Sequence, residues 1–517
     1  MVVAFMDEEE ITVRIVSGSF MLTVGSIIAD IVGLLFSIII ARLLGPEGYG
    51  IWSLSLVYPS MVAGLVDLGL ATIFARYATL SNRDRNIYIW TGIIFRCLLG
   101  FIGALTVYFL ADAFAHLLAR QYMGDYIRIL SVYTASYVLL TALGSIFNGL
   151  GRYRISASIN ISQFILRGVL SILFILMGFG VYGAVVACSL AYTILSIIYF
   201  IIYTKHVKPI GFSRKALADM LRLSIPLYIA SIGGIAVGPF VSTVLARYVS
   251  DYDLGNYRVA LNALSPIVAL QGAISVATLT SLPLLLNNSN SLKKRTEEAI
   301  LYSSTIFIAL VLCYISVISP TIHLFYGRAY AEAPIYATLY SIGIVVSAIL
   351  GSLVVGSYFI TIGVTKWNTI TAAIGQLTTI ILALTLTSRY NVYGAVISQA
   401  IGSIISSIAG LYIAKKLFNL EVNLKPEIKA LLPSVLAYIA TYTILRLLTN
   451  IGVSFVAKII SIIIGLTVYS SVYLAFLPLF VDKGIIRNII MLVGKVEFVG
   501  RILKPLGEAY LRLINIE

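Results

Sequence analysis

Charged residues are scarce in this sequence. Asp, Glu, Lys and Arg together make up 11% of its 517 residues, whereas hydrophobic residues make up 60%. A soluble globular domain carries about 25% charged residues. The composition therefore excludes a soluble globular protein and indicates a polytopic membrane protein whose helices bury their apolar side chains in the bilayer.

Cysteine and histidine are equally rare, with three of each. Cys97, Cys188 and Cys313 lie in apolar segments without the spacing of a metal site, so they are predicted to be reduced packing residues. The sequence has no phosphate-binding glycine loop and no metal-ligand cluster, and the connections between hydrophobic segments carry no catalytic constellation. We therefore expect no metal, no cofactor and no enzymatic activity.

Acidic residues are outnumbered by basic ones, 22 against 36, which gives a net charge of +14. The Lys and Arg residues lie in short loops between hydrophobic segments, where they act as orientation signals or contact lipid headgroups, so no nucleic-acid partner is predicted. Most of them fall on the inner side if the N-terminus is cytoplasmic. The acidic N-terminus lacks the basic region of a cleavable signal peptide. Both termini are predicted to be cytoplasmic, in the cell membrane of a prokaryote, which the Ile and Tyr content suggests.

The first hydrophobic run, from Ser17 to Ile40, is long enough to cross a hydrocarbon layer of roughly 30 Å. Wound as a helix, it collects its polar and small residues on one face, namely Ser19, Thr23, Ser26, Asp30, Gly33 and Ser37. An ionised Asp30 near mid-membrane costs at least about 2.5 kcal/mol when it faces lipid. This face is therefore predicted to contact other helices or a water-filled cavity.

Hydrophobic windows predict about fourteen transmembrane spans, and short matches recur in the same order about 205 to 213 residues apart. The matches pair Ala41-Arg42 with Ala246-Arg247, Pro59 with Pro266, Phe147 with Phe359, Gly151 with Gly363, Gln163 with Gln376, and Val181–Val185 with Val392–Val396. Spans one to six, in residues 1–204, thus form a lobe that spans seven to twelve, in residues 205–428, repeat in parallel. Spans thirteen and fourteen, in residues 429–480, and an amphipathic tail, in residues 481–517, follow.

Four motifs carry a resemblance to a known family. They are ARLLGPEGYG at residues 41–50, DLGL at 67–70, GLGR at 149–152, and LFYG at 324–327 followed by Tyr330. They resemble the polysaccharide-export (Wzx-like) branch of the multidrug/oligosaccharidyl-lipid/polysaccharide (MOP) flippase superfamily, over nearly the whole chain. The resemblance implies an all-α, V-shaped, MATE-like fold of two six-helix lobes with two extra C-terminal helices.

The same resemblance implies a function but supplies no fixed catalytic set. It implies a flippase that moves a polyprenyl-diphosphate-linked oligosaccharide from the cytoplasmic to the outer leaflet by alternating access, for polysaccharide or glycoprotein glycan biosynthesis. The two extra spans favour the sugar-lipid branch, because the drug-extruding branch usually has twelve.

Two arginines lie inside predicted spans and are candidate ligands of such an anionic substrate. Arg167 lies near the middle of span five, on one face with Asn160 and Gln163, and Arg96 lies about two turns into span three. A guanidinium binds diphosphate oxygens bidentately and stays charged. Two alternatives remain open. Arg167 could pair with Asp30 as a tether between helices, and Arg96 could extend toward the inner headgroups.

Asp30 and Asp67 are acidic in the first lobe only, since the matching positions of the second lobe carry no acid. A carboxylate in a membrane cavity can bind H⁺ or Na⁺ and couple transport to an ion gradient. Alternatively, each carboxylate balances a nearby positive charge. Arg258 opens span eight on a face shared with Asn262, and these two residues are predicted at the mouth of the cavity.

Hinges and anchors complete the predictions. Pro59 and Pro266 interrupt spans two and eight at matching depths, and span seven contains Gly238 and Pro239, so these helices are predicted to bend there. Tyr49, at a span end, is predicted to settle at headgroup level.

Two rival functions remain. An ion-coupled multidrug or small-cation antiporter on the same fold would need cavity acids without buried arginines, and a membrane glycosyltransferase or polymerase would need a catalytic loop outside the membrane. The predicted partners are a lipid-linked oligosaccharide, membrane lipids and a coupling H⁺ or Na⁺, with the chain working as a monomer.

Overall fold

A computed structural model describes residues 8–80, 82–208, 211–286, 288–447, 455–494 and 497–514. Throughout these ranges the regular elements are helices, and no β-strand occurs in them. The predicted all-α polytopic class is confirmed. Leu448 and Val453, predicted to end span thirteen and to begin span fourteen, lie outside the described residues.

The chain forms two compact units. The first ends at Ser265 and also holds Ala383–Val392, and the second comprises Pro266–Leu382 and the chain from Tyr393 onward. The first unit contains α1 (Glu8–Ser55), α2 (Val57–Leu65), α3 (Leu70–Tyr77), α4 (Asn82–Phe109), α5 (Ala111–Leu117), α6 (Gly124–Gly149), α7 (Tyr153–Phe174), α8 (Gly180–His206), α9 (Arg214–Tyr248) and α10 (Asp251–Ala263). The predicted lobe boundary after residue 204 stays a prediction.

The remaining helices follow in chain order. They are α11 (Ser265–Ser281), α12 (Ser289–Ser316), α13 (Ile318–Phe325), α14 (Ala333–Ile349), α15 (Ser352–Thr361), α16 (Thr365–Phe418), α17 (Lys425–Leu447), α18 (Phe455–Phe480), α19 (Lys483–Gly494) and α20 (Glu497–Leu513). Helix α16 contributes its middle segment to the first unit.

Among the described residues, nine helical runs are long and apolar enough to cross a membrane, or eleven when two bent pairs are each counted as one span. Three of the nine runs hold two predicted spans each, namely Val24–Leu65, Tyr153–His206 and Thr365–Phe418. A straight helix of 54 residues would be about 80 Å long, more than twice the thickness of the hydrocarbon layer. Each run is broken by non-helical backbone, at Gly45, Gly178 and Asn391. The eleven runs are therefore compatible with fourteen spans.

The internal repeat is also visible in the backbone dihedral angles at two of these helix breaks. Gly180, just before the run Val181–Val185, has φ 52° and ψ −134°. Asn391, just before the matching run Val392–Val396, has φ 52° and ψ −131°. The two turns share one conformation, which glycine adopts freely and a residue with a Cβ adopts under strain.

A second pair of turns is equally well matched. Gly151 has φ 71° and Gly363 has φ 75°. The residue after each glycine donates its N–H to a phenylalanine carbonyl five positions earlier, Arg152 to Phe147 at 2.8 Å and Val364 to Phe359 at 2.9 Å. This is the Schellman geometry that ends a helix and lets the chain reverse. The spacing matches in the sequence therefore correspond to repeated turns.

Replacing Asn391 with glycine is expected to stabilise the protein by about 1 kcal/mol, because it removes the strain of a left-handed φ at an exposed side chain. The melting temperature in detergent measures the effect. The mirror substitution Gly180→Asn is the control and should lower the melting temperature. A lower value for Asn391→Gly would show instead that the asparagine side chain makes a stabilising contact.

Repeat-equivalent residues also pack against each other within the first unit. A Cβ on Gly50 of α1 would lie 2.2 Å from the carbonyl oxygen of Asp251, and a Cβ on Gly255 of α10 would lie 2.0 Å from that of Pro46. Pro46 and Asp251 are separated by the same number of residues as Gly50 and Gly255. The contact is thus reciprocal, like an interface on a two-fold axis.

The predicted hinge residues lie near helix breaks. Leu56 separates α1 from α2 just before Pro59, and Leu264 separates α10 from α11 just before Pro266. Helix α9 bends by 62° between Pro226 and Ser231, about two turns before Gly238 and Pro239. Because a break is not in itself a motion, the hinge roles of Pro59, Pro266, Gly238 and Pro239 stay predictions.

Candidate functional site

A cavity of about 400 Å³ lies within the first unit, between α1, α7 and α10. Its charged residues are Asp30, Arg167 and Arg258. Aromatic side chains also line it, namely Tyr49, Trp52, Tyr133 and Phe164. Hydroxyl and amide groups also line it, contributed by Ser37, Ser53, Ser60, Asn262 and Ser265, and Gly33, Leu34 and Leu56 complete the wall. The cavity therefore has a mixed polar and apolar wall, carries both signs of charge and has broad aromatic faces.

Helix α1 contributes the polar face that the sequence predicts, since Asp30, Gly33 and Ser37 all line the cavity. Small residues bring α1 and α7 close enough to share this wall. A Cβ added at Gly168 would lie 2.2 Å from the ring of Phe36, and one at Gly33 would lie 2.8 Å from the ring of Phe164. Such close approach is the usual role of glycine between membrane helices.

Arg167 is held mainly by aromatic rings. Its guanidinium carbon lies 5.2 Å from the ring centre of Phe164 and 5.9 Å from that of Trp52. Cation–π contacts of this kind stabilise a guanidinium without neutralising it. Asp30 lines the same cavity, but no ion pair joins it to Arg167 within 4.0 Å in the described part of the chain. The tether alternative is therefore not formed in this structure.

Arg258 and Asn262 reach the cavity from α10. The Asn262 amide donates to the Tyr49 hydroxyl at 2.7 Å and to the Ser37 hydroxyl at 3.2 Å, and these two hydroxyls lie 2.8 Å apart. This network ties α10 to α1. Tyr49 is only 1% exposed and hydrogen-bonded inside the protein, so its predicted role as a headgroup anchor is wrong.

Arg96 and Asp67 lie away from the cavity wall and bind each other. Arg96 is 1% exposed and also donates to the Val138 carbonyl at 2.7 Å and to the Thr141 hydroxyl at 2.9 Å. Such a counterion offsets the cost of burying an arginine inside a helix bundle. Asp67 thus has the geometry of the charge-balance alternative, and neither residue lines the cavity.

Asn160 and Gln163 are half-buried on α7 but are not among the residues that line the cavity. They precede Arg167 by two turns and one turn. A shared helix face is wider than the strip that borders the cavity, so periodicity alone could not separate them from Arg167.

Replacing Asp67 with asparagine is expected to destabilise the protein by about 3–5 kcal/mol, because it leaves the buried Arg96 without a counterion. Thermal unfolding in detergent measures the loss. The control is Asp112→Asn, which breaks an ion pair to Arg128 in which the aspartate side chain is 76% exposed and should cost less than about 1 kcal/mol. Equal losses for both variants would contradict a structural role for the buried pair.

Sequence reasoning did not single out a cluster around Arg120. Its Nε lies 2.9 Å from Asp251 Oδ1, and its Nη1 donates to the Ala246 carbonyl at 2.7 Å. The Tyr122 hydroxyl donates to the second oxygen of Asp251. The cluster joins the α5–α6 connection to the end of α9 and the start of α10. A usable signal was present, since Arg120 is a basic residue on the predicted outer side, where few occur.

Comparison with known proteins supports this architecture. Residues 39–334 match the model of a family described as polysaccharide biosynthesis protein. No curated protein matches the sequence.

Solved structures of membrane transport proteins share the fold. The lipid II flippase MurJ, in an inward closed conformation, has a TM-score of 0.71 and 18% identity over 89% of this chain and 99% of that one. An inward-facing multidrug resistance MATE transporter has a TM-score of 0.59 and 16% identity over 77% and 94% of the two chains. A MOP superfamily transporter from Pyrococcus furiosus has a TM-score of 0.56 and 18% identity over 78% and 95%.

At these identities the likeness shows the fold alone, and the fold is the MATE-like one predicted. The three proteins that share it are transport proteins. The family model covers more than half of the sequence. The chain therefore belongs to the polysaccharide biosynthesis protein family and has the fold of the MOP transporters.

Proposed function

We propose that this protein is a flippase that moves a polyprenyl-(di)phosphate-linked oligosaccharide from the cytoplasmic to the outer leaflet by alternating access. The observation that carries the proposal is the cavity that contains Arg167 and Arg258, neither of which is paired with a carboxylate within 4.0 Å among the described residues. Uncompensated cations inside a membrane protein are costly unless a ligand or water supplies the missing interaction.

A phosphate or diphosphate fits this cavity chemically. Guanidinium groups bind phosphate oxygens through parallel hydrogen bonds and stay charged. Aromatic rings rather than a carboxylate hold Arg167, so its charge is available to an anion. The aromatic face of Trp52 and the hydroxyl of Tyr133 offer surfaces suited to a sugar, which has both apolar faces and hydroxyl groups. The lipid portion would remain in the bilayer while the polar head occupies the cavity.

Two contacts support alternating access. The reciprocal packing of Gly50 and Gly255 and the bonds of Arg120 to Asp251 join the predicted first lobe to the first helices of the predicted second lobe. Both contacts lie on the side that the basic residues predict to be outer. Opening the cavity outward would separate them, so they are the contacts that must break and re-form in each cycle.

Asp30 supports a second candidate function. Its carboxylate is exposed and lines the cavity, where it could exchange H⁺ or Na⁺ with the solution. In the flippase, this exchange would couple movement to an ion gradient. In a multidrug or small-cation antiporter, the same carboxylate would bind the cargo, and Arg167 would then repel it.

Transbilayer movement of a polyprenyl-diphosphate oligosaccharide in vesicles tests the proposal. The full-length protein is reconstituted, and the fraction of substrate in the outer leaflet is scored with an impermeant sugar-modifying reagent. Faster movement than in empty vesicles supports the flippase. No acceleration, together with expulsion of a cationic dye under an imposed ion gradient, would favour the antiporter.

We further propose that the protein works as a monomer in a prokaryotic cell membrane, with both termini in the cytoplasm.

A further inference from the structure

A second cavity, of about 540 Å³, lies in the second unit. Its wall is almost wholly apolar and is formed by α12, α18, α19 and α20. Ile306 and Leu310 contribute from α12, and Leu477 contributes from α18. Ile489 and Leu506, from the two tail helices, complete the wall. Since α12 and α18 are long and apolar enough to span the membrane, we expect the cavity to open toward the bilayer.

Specific hydrogen bonds hold the tail helices against this cavity. The Tyr510 hydroxyl of α20 donates to the Leu474 carbonyl of α18 at 2.7 Å, and burial raises the pKa of Tyr510 to about 12. The Asn488 amide of α19 donates to the Tyr302 hydroxyl of α12 at 3.0 Å. The Lys483 ammonium donates to the Ile514 carbonyl at 2.9 Å, which joins α19 to the end of α20. The tail is therefore a fixed wall of the cavity.

A polar recess of about 420 Å³ adjoins the apolar cavity, and Val481 lines both. Lys425 and Lys429 line this recess from the first turns of α17. In the part of the chain that the structure describes, neither ammonium group has an ion-pair partner. Asp482 also lines the recess, but its carboxylate accepts from the Gly484 N–H at 2.7 Å at the start of α19.

We propose that these adjoining cavities bind one anionic phospholipid of the inner leaflet, with an acyl chain in the apolar cavity and the phosphate between Lys425 and Lys429. The charges match, because two unpaired ammonium groups face a headgroup of opposite sign beside an apolar chamber. An amphiphile with one charged end and one long apolar chain can occupy the recess and the apolar cavity at the same time.

Native mass spectrometry of the full chain in detergent tests this site. The protein is exposed to an equimolar mixture of a phosphatidylglycerol and a phosphatidylcholine of the same chains. Lysines near a membrane surface attract anionic lipids more strongly than zwitterionic ones. We therefore expect one retained lipid per chain, with phosphatidylglycerol favoured by about tenfold or more. The double variant Lys425→Gln/Lys429→Gln should lose that preference.

Matched variants test the apolar cavity and the recess separately. Ala309→Phe places a ring in the apolar cavity and should reduce the retention of both lipids. Lys415→Gln/Lys416→Gln removes the same charge from exposed positions that do not line the recess, and should keep the preference.

Three results would overturn the proposal. They are equal retention of the two lipids by the wild type, an unchanged preference in the Lys425→Gln/Lys429→Gln variant, and displacement of phosphatidylglycerol, mole for mole, by added polyprenyl diphosphate. The last would assign the site to the transported lipid. Because lipid retention is measured without transport, its outcome is independent of the flippase assay.

Discussion

Replacing Arg167 with alanine is expected to slow oligosaccharide-lipid movement about 10- to 100-fold while the protein remains folded. A hydrogen bond to a charged group contributes about 1.5–3 kcal/mol, and each 1.4 kcal/mol corresponds to a factor of ten. The loss falls on transport rather than on folding, because Arg167 is ion-paired to no described side chain. The vesicle assay measures the rate, and size-exclusion chromatography with thermal unfolding confirms the fold.

Two further variants sharpen this test. Arg167→Lys keeps the charge but loses the bidentate geometry, so an intermediate rate is expected. Arg128→Ala removes an arginine that pairs with the exposed Asp112 and Asp125, none of which lines the cavity, and its rate should equal that of the wild type. If Arg167→Ala moves the substrate as fast as the wild type, the cationic cavity is not the phosphate site.

Replacing Gly255 with valine is expected to prevent close packing of α1 and α10. Its first added carbon would lie 2.0 Å from the Pro46 carbonyl oxygen, and a backbone atom cannot turn aside as a side chain does. Overpacking of this kind costs about 1–3 kcal/mol and would shift the population toward an outward-open state. Labelling of Ser265→Cys, on the cavity wall, by an impermeant thiol reagent added from outside should then become faster.

The labelling experiment needs a background without the native cysteines, because Cys97 is exposed. Gly272→Val is the matched control, since a Cβ at Gly272 of α11 meets no atom within 4 Å. It should label at the rate of the parent. Unchanged labelling of Gly255→Val, in a protein that remains folded, would show that this contact does not control access to the cavity.

Helical periodicity and membrane energetics were sufficient to predict part of the cavity. Asp30 and Ser37 could be placed on one wall because polar residues at helical spacing cannot all face lipid. Arg167 and Arg258 could be placed there because each lies on a polar face of its span. The all-α class followed from the composition, the length of the hydrophobic runs and the family resemblance.

The partners of these residues could not be predicted, because they are distant in the sequence. Arg96 binds Asp67, which lies in the turn between α2 and α3. The depth of Arg96 within its own span could not indicate this partner. Trp52 contacts Arg167 across more than one hundred residues, and Trp52 carried no signal of its own. Tyr49 was misplaced because a tyrosine at a span end is usually an anchor, whereas here Asn262 holds it inside the protein.

The two copies of the repeat are more alike in backbone conformation than in residue identity. Gly180 and Asn391 share a backbone conformation although only one of them is a glycine. Matches of residue identity therefore underestimated the extent of the repeat, since the turn is retained even where the residue best suited to it has been replaced.

The reciprocal contact of Gly50 and Gly255 has a mechanical consequence. Gly50 of α1 packs against the backbone of α10, and Gly255 of α10 packs against the backbone of α1. A single movement of α1 away from α10 therefore breaks both contacts together. A partly separated state would forfeit the packing of one contact without freeing the other. We therefore expect the contact between α1 and α10 to be either fully formed or fully broken, with little population of intermediate states.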